Sequence, residues 1–114
     1  MLAILAAATA IVRTPIELWH TGDDGLSEKV FAAIEERLAT SPEFEVRSGA
    51  ELKILAPSTN VRPTGAAGHL KISFEYEIDR SGQKIAEGQG RCSEQTLSDC
   101  ANIVVRAARK AVSK

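Results

Sequence analysis

Cys92 and Cys100, the two cysteines of the chain, carry its most definite chemistry. Seven residues separate them, unlike the Cys-x-x-Cys spacing of redox-active pairs. A structural zinc ion needs four ligands, and neither His20 nor His69 has ligand spacing to its neighbours. We therefore predict a structural disulfide between Cys92 and Cys100, no metal site and no cofactor. Two free thiols in a cytosolic protein are the alternative.

A histidine lies close in sequence to two carboxylates, at His20, Asp23 and Asp24. Such a group could carry out acid–base catalysis. Asp24 is also a natural helix N-cap, and Asp23 suits the positive end of a helix dipole. Because the capping interpretation accounts for both carboxylates, we predict no catalytic residue here. A small enzyme that uses His20 with Asp23 or Asp24 is the alternative.

Three other residues are candidates for binding. The stretch "PSTNVRPTGAAGH", residues 57–69, has two prolines, two glycines and no hydrophobic period, which indicates a long loop. Long loops on rigid scaffolds often bind ligands, so Arg62 and His69 are candidates, and a plain connector is the alternative. Trp19 is the single tryptophan. It either packs against the sheet or the amino terminus, or it contacts a partner protein.

The first half of the chain predicts a strand followed by a helix. Ile16 and Leu18 alternate with polar or amphipathic residues, which is typical of a strand. An apolar stripe at helical spacing then predicts a helix that ends before Pro42. The stripe consists of Leu26, Val30, Phe31, Ile34 and Leu38. Two short alternating segments, "EFEVRS" and "ELKILAP", predict two further strands.

The second half predicts a β-hairpin and a final helix. In "LKISFEYEID" every second residue is apolar, which indicates a strand with one wet face. A three-residue loop, 80–82, would place Tyr76 opposite Ala86 and Leu70 opposite Cys92. The return strand then presents small residues to the core, which leaves room for a helix. That helix, ending near Val112, brings Cys100 to Cys92, and the disulfide should add roughly 2.5 kcal/mol of stability.

The length of 114 residues predicts one domain, which we place at residues 11–114. The elements combine into an α+β fold, a two-layer sandwich with a mainly antiparallel sheet of four or five strands. Two helices cover one face, in the order β-α-β-β-β-β-α. The other face is polar and solvated. A net charge of −1 argues against nucleic-acid binding.

The amino terminus, Leu2–Val12, is apolar except for Thr9. It is too short to cross a bilayer as a helix, so we predict no stable membrane span. Its length and the Ala8-Thr9-Ala10 sequence suit a signal peptide, so we interpret residues 1–10 as a signal-peptide remnant, although no basic residue precedes them. A first strand or a buried helix is the alternative. Together with a disulfide, this predicts a periplasmic or secreted protein.

The order of elements resembles small periplasmic α/β modules such as the amino-terminal domain of TolB and related envelope lipoprotein domains. The resemblance rests on "LSEKVFAAIEERLATSPEFEV" and "YEIDRSGQKIAEG" and covers roughly residues 16–112. It implies a docking module within an envelope assembly rather than an enzyme. It carries no functional motif, so it assigns no functional residue. The disulfide departs from the pattern.

We therefore expect a non-catalytic exported module that binds or docks to an envelope protein. The alternatives are a protein that binds a small molecule through the loop at 57–69 and the small enzyme described above. The sequence leaves the partner, the ligand and the oligomeric state open.

Overall fold

A computed structural model gives the structure of residues 13–66 and 69–113. Its elements are β1 (Thr14–Trp19), α1 (Gly25–Ala39), β2 (Phe44–Val46), β3 (Leu52–Leu55), β4 (Arg62–Thr64), β5 (Lys71–Arg80), β6 (Gln83–Ser93) and α2 (Leu97–Val112). The predicted α+β class, an open sheet with two helices, is confirmed. The proposed signal-peptide remnant, residues 1–10, lies outside the described residues.

The sheet is mixed, and β5 is its central strand. β1 pairs in parallel with β2 and β3, whereas β3, β4 and β6 all run antiparallel to β5. β3 and β4 share one edge of β5, because β3 pairs with residues 77–80 and β4 with residues 71–73. β6 pairs with the other edge of β5 along its length.

The described part of the chain contains six strands, one more than the predicted upper limit of five. The additional strand is β4, which lies inside the segment predicted as a loop. Its sequence, Arg-Pro-Thr, has a proline and no alternation of apolar residues, so local patterning does not reveal it. It becomes a strand only because Lys71–Ser73 of β5 offer an edge with which it pairs.

One continuous core lies between the sheet and the helices. The predicted stripe of α1 faces the sheet, with Val30, Ile34 and Leu38 fully buried. The sheet contributes Ile16, Phe44, Leu52, Ile54, Ile72, Phe74 and Ile78, and α2 contributes Cys100, Ala101, Val104, Val105 and Ala108. Burying each large aliphatic side chain contributes about 1.5–3 kcal/mol, so this interface is the main source of stability.

The hairpin of β5 and β6 differs from the predicted register. A two-residue turn, Ser81–Gly82, connects the strands, and both residues have positive φ values of 53° and 83°. Such turns match the twist of the strands. The extra residue is Ile85, at a bulge within β6 rather than in the loop. The predicted three-residue loop is therefore wrong, and Tyr76 lies opposite Gly88.

After the bulge, the observed register differs from the predicted one by two residues along β6. Because side chains alternate between the two faces with a period of two, each side chain in this part of β6 keeps its predicted face. Gly88 and Gly90 face the core side as predicted, but they do not leave an empty groove for a helix. Rings from β5 fill the space: a Cβ on Gly90 would lie 2.4 Å from the Phe74 ring, and one on Gly88 would lie 2.4 Å from the Tyr76 hydroxyl. The buried Phe74 ring therefore favours glycine at position 90, and the Tyr76 hydroxyl, at the end of a half-buried side chain, constrains position 88 less.

Candidate functional site

The predicted disulfide is formed. Cys92 near the end of β6 is bonded to Cys100 in the first turn of α2, with their Cα atoms 5.4 Å apart. Cys100 is fully buried in the core. The bond therefore fixes the start of α2 to the edge strand of the sheet, and it leaves no free thiol in the chain.

The histidine and carboxylates after β1 serve the start of α1. Asp24 is the N-cap, and its two carboxylate oxygens accept hydrogen bonds from the amide and the hydroxyl of Ser27, at 2.8 and 2.9 Å. These bonds lower the pKa of Asp24. His20 Nδ1 bonds with the Gly22 carbonyl at 2.7 Å, and its ring packs on Phe31 with 4.3 Å between centroids. No hydrogen bond joins His20 to either carboxylate among the described residues.

The segment predicted as a loop is anchored at several points. The amide and hydroxyl of Thr21 donate to the carbonyls of Pro57 and Ser58, and the Ser58 amide donates to the Glu75 carbonyl. The buried Ser27 hydroxyl accepts a bond from the amide of Val61 at 3.2 Å. These bonds hold β4 beside β5.

Six polar residues at one end of the sheet form a surface that we name the basic patch. The strand pairing aligns them in two rows across β4, β5 and β6 on the outer face, the face away from the helices. The first row is Arg62, Ser73 and Arg91, and the second row is Thr64, Lys71 and Ser93. Cations and hydroxyls therefore alternate both within and between the rows.

The basic patch combines positive charge with hydrogen-bond donors. Neighbouring strands lie about 4.8 Å apart, so Arg62 and Arg91, on either side of Ser73, are separated by about 10 Å at their Cα atoms. A groove of about 530 Å³ lies between Thr64, Lys71 and Arg91, and its lining also includes the apolar Ile72 and Cys92. Two carboxylates lie beside the patch: Glu75 is 3.7 Å from the Arg62 guanidinium, and Glu94, which follows Ser93, accepts a hydrogen bond from the Leu70 amide. This arrangement can bind a carboxylate or another oxyanion.

The outer face changes sign along β5. Its outward residues run from Lys71 and Ser73 at one end to Glu75, Glu77 and Asp79 at the other. Two lysines accompany the acidic end, because Lys84 pairs with Glu77 and Glu87, and Lys53 with Glu17. The predicted polar second face is confirmed, and in addition it is polarised.

The sequence-predicted binding residues lie at separate places. Arg62 belongs to the basic patch, and its side chain is 68% exposed. His69 is exposed beyond β4, where its amide donates to the Ala66 carbonyl. Trp19 is 53% exposed and lies beside Leu55 on the outer face, in the row that continues to Glu77. The structure therefore does not bring Trp19 to the basic patch.

No family model and no curated protein matches the chain. The solved structures that share its fold include TolB and a minor lipoprotein. TolB from Acinetobacter baumannii superposes with a TM-score of 0.59 at 13% identity, over 89% of this chain and 28% of the TolB chain. A minor lipoprotein from the same organism superposes with a TM-score of 0.51 at 12% identity, over 91% of this chain and 94% of the lipoprotein. The predicted resemblance to TolB-like envelope modules is confirmed at the level of the fold.

These comparisons concern the fold alone, because the identities are low. The chain covers little more than a quarter of the TolB chain. Within the described ranges, no helix is long and apolar enough to cross a membrane. The same residues contain no cluster of three or more side chains suited to hold a metal ion.

Sequence reasoning found one member of the basic patch, Arg62, and missed the others as a group. Lys71, Ser73 and Arg91 are identifiable as outward residues from the alternation in their strands. Their grouping depends on the pairing of three strands, and β4 carries no strand pattern. A correct hairpin register would have placed Arg91 beside Ser73.

Proposed function

We propose that this protein is an exported docking module that binds an acidic segment of an envelope protein at the basic patch. Three features support export: the predicted cleavable amino terminus, the disulfide between Cys92 and Cys100, and the fold shared with TolB and a lipoprotein. Disulfides persist in oxidising compartments such as the periplasm.

The single observation that carries the docking proposal is the alternation of three cations with three hydroxyls in the basic patch. In an extended peptide, alternate side chains lie about 6.6 Å apart on one face. That spacing matches the separation of Ser73 from Lys71 along β5, and each arginine lies diagonally about 8 Å from Lys71 at the Cα atoms. Each exposed ion pair contributes little, so the binding requires several carboxylates at once.

The test is a titration of the ¹⁵N-labelled protein with hexaglutamate, followed by NMR. We expect saturable shifts at the amides of Lys71, Ser73 and Arg91. The Lys71→Glu variant should weaken binding by roughly 5-fold or more, because it replaces an attraction with a repulsion. Lys29→Glu, which makes the same charge change on the exposed side of α1, is the matched control and should bind hexaglutamate as the wild type does.

The docking proposal also requires a contact in the cell. A photo-crosslinking residue at position 73 should capture a defined partner in the native host. The same residue at position 36, on the exposed side of α1, should not. Identical adducts from both positions, or hexaglutamate shifts spread evenly over the surface, would contradict the proposal.

A second candidate function is the binding of a small anionic molecule in the groove of the basic patch. The groove volume of about 530 Å³ favours it, since ligand pockets often have this size. Titration with inorganic phosphate distinguishes the two. Saturable shifts at Lys71 and Arg91 with phosphate but not with hexaglutamate would support the small-molecule function.

A further inference from the structure

The edge of the sheet at β6 offers a row of unsatisfied backbone groups. β6 has eleven residues and pairs only with β5 within the described ranges. The Glu94 amide donates to the Leu70 carbonyl, so even-numbered residues of this segment direct their backbone groups toward β5. Because directions alternate along a strand, Glu87, Gln89 and Arg91 direct their N–H and C=O groups to the open edge.

The regular part of this edge has two definite ends. On one side the bulge at Ile85 interrupts the strand. At the other end, both backbone groups of Ser93 are used within the turn before α2. Its amide donates to Thr96 Oγ1, and its carbonyl accepts a bond from the Thr96 amide. Ile85 and Ser93 are equally distant from Gln89. An antiparallel copy of β6 therefore overlaps this segment completely only if the two-fold axis passes through Gln89.

The same register is the one that the charges favour. With the axis at Gln89, Glu87 lies opposite Arg91 of a second copy, and Arg91 lies opposite its Glu87. An axis at Glu87 would oppose two carboxylates, and an axis at Arg91 would oppose two guanidiniums. Opposite charges across a strand pair stabilise it, and like charges destabilise it. Arg91 has no ion pair among the described residues. Glu87 already pairs with Lys84 at 3.0 Å, an exposed contact that it would share with Arg91 of the second copy.

We propose that this protein forms a two-fold symmetric dimer in which the β6 strands of two copies pair antiparallel about Gln89. Three opposed pairs, Glu87 with Arg91, Gln89 with Gln89 and Arg91 with Glu87, each exchange two backbone hydrogen bonds. The two sheets become one continuous sheet. The polarised outer faces then run in opposite directions, so the basic end of one copy lies beside the acidic end of the other. Such an isologous contact uses one surface twice.

The first test is the oligomeric state by sedimentation equilibrium over a range of concentrations. We expect a monomer–dimer equilibrium for the wild type. Glu87→Arg and Arg91→Glu should each raise the dissociation constant by roughly 10-fold, since symmetry repeats the like-charge contact twice. The double variant with both changes restores opposite charges and should recover most of the affinity. Glu36→Arg, on the exposed side of α1, is the control and should leave the equilibrium unchanged.

The second test fixes the register and does not depend on the charge variants. Opposed residues in a hydrogen-bonded antiparallel pair have Cα atoms about 5.5 Å apart, a distance that a disulfide can span. Purified Gln89→Cys should therefore form a covalent dimer on mild oxidation with diamide. Glu87→Cys should not, because its two copies lie about 13 Å apart in this register. Circular dichroism of both variants verifies that they fold.

Three outcomes would overturn the proposal: a wild type that stays monomeric at every concentration, a preferential covalent dimer through position 87, or a double variant no better than the single ones. If a strand of another protein or residues 1–12 of this chain occupied the β6 edge instead, the wild type would be a monomer in the first test. Arg91 belongs to both surfaces, so its pairing with Glu87 of a second copy would compete with docking. Loss of hexaglutamate binding in Lys71→Glu and loss of the dimer in Glu87→Arg are nevertheless separate results, because Lys71 does not lie on β6.

Discussion

Gly90 on β6 lies directly beneath the ring of Phe74 on β5. A Cβ at Gly90 would be 2.4 Å from both Cε1 and Cζ of that ring, closer than nonbonded carbon atoms approach. Phe74 is 2% exposed, so its ring cannot move into solvent without leaving the core. The pair therefore acts as one packing unit, with the ring of one strand covering the backbone of the next.

Gly90→Ala should destabilise the protein by about 1–3 kcal/mol, because the added methyl group overpacks a filled site. Urea unfolding measures the change. Gly25→Ala at the start of α1 is the control, since a Cβ there meets nothing within 4 Å. We expect the control to be neutral or slightly stabilising. Equal stability of Gly90→Ala and wild type would mean that the ring has room to shift.

The sequence predicts which face of each strand is buried. It does not predict which residues of neighbouring strands lie opposite one another. Alternation over residues 70–78 defines which side of β5 is buried, and the two hairpin registers differ by two residues, which preserves that face. The choice between them depends on where one extra residue is placed. The chain places it at Ile85, within the strand, rather than in the turn.

The grouping of residues in the basic patch could not be predicted from the sequence for the same reason. Arg62 stood out as the single charge of a long loop, whereas Lys71 and Arg91 were two of many outward polar residues. Their assembly with Arg62 requires β4, whose extended form depends on its pairing with β5 and on the bond between Val61 and Ser27. Such long-range contacts leave no local pattern.

Ser27 joins the first turn of α1 to the approach of β4. Its buried hydroxyl donates to Asp24 and accepts from the Val61 amide, and Gly22 packs against it so closely that a Cβ there would lie 2.3 Å from Oγ. Ser27→Ala leaves the Val61 amide without this acceptor. We expect a loss of about 1–3 kcal/mol in urea unfolding.

Ser98→Ala, at an exposed position in the first turn of α2, is the matched control and should change the stability little. Amide hydrogen exchange at Val61 adds a local measurement. Exchange there should accelerate in Ser27→Ala more than in the core of α1. Unchanged exchange at Val61 would show that another group holds this segment.

Reduction of the disulfide should lower the free energy of unfolding by roughly 2.5 kcal/mol, because the crosslink restricts the unfolded chain. Urea unfolding with and without a reducing agent measures this difference. A variant with serine at both position 92 and position 100 should match the reduced protein and should not respond to the reducing agent. A larger loss in the variant alone would indicate that serine is poorly accommodated beside the buried core at Cys100.

Glu43 and Arg109 connect the start of β2 to the end of α2. The Arg109 guanidinium donates to both oxygens of the carboxylate, with the Nη2 bond at 2.8 Å, and these bonds lower the pKa of Glu43. A folded-state pKa below the unfolded value adds stability above the ordinary glutamate pKa of about 4.3. That contribution is lost as the pH falls through the lowered pKa.

Glu43→Gln should therefore be less stable than the wild type at neutral pH, and the difference should shrink as the pH falls through the lowered pKa of Glu43. Thermal unfolding over a series of pH values from neutral to acid measures it. In an Arg109→Gln background the same change should have much less effect at neutral pH, because the partner is gone. A difference that persists undiminished in acid would mean that the contact is not ionic.

Intact mass of the protein from its native host tests export directly. The expected mass is that of a chain cleaved after Ala10 and lacking two hydrogens because Cys92 is bonded to Cys100. Both mass changes report on export, because cleavage of a signal peptide and formation of a disulfide each follow from passage out of the cytoplasm. Treatment with a thiol-alkylating reagent before reduction should leave the mass unchanged, and treatment after reduction should add two adducts. An uncleaved chain with two reactive thiols would remove two of the three supports for export at once and leave only the fold shared with TolB and a lipoprotein.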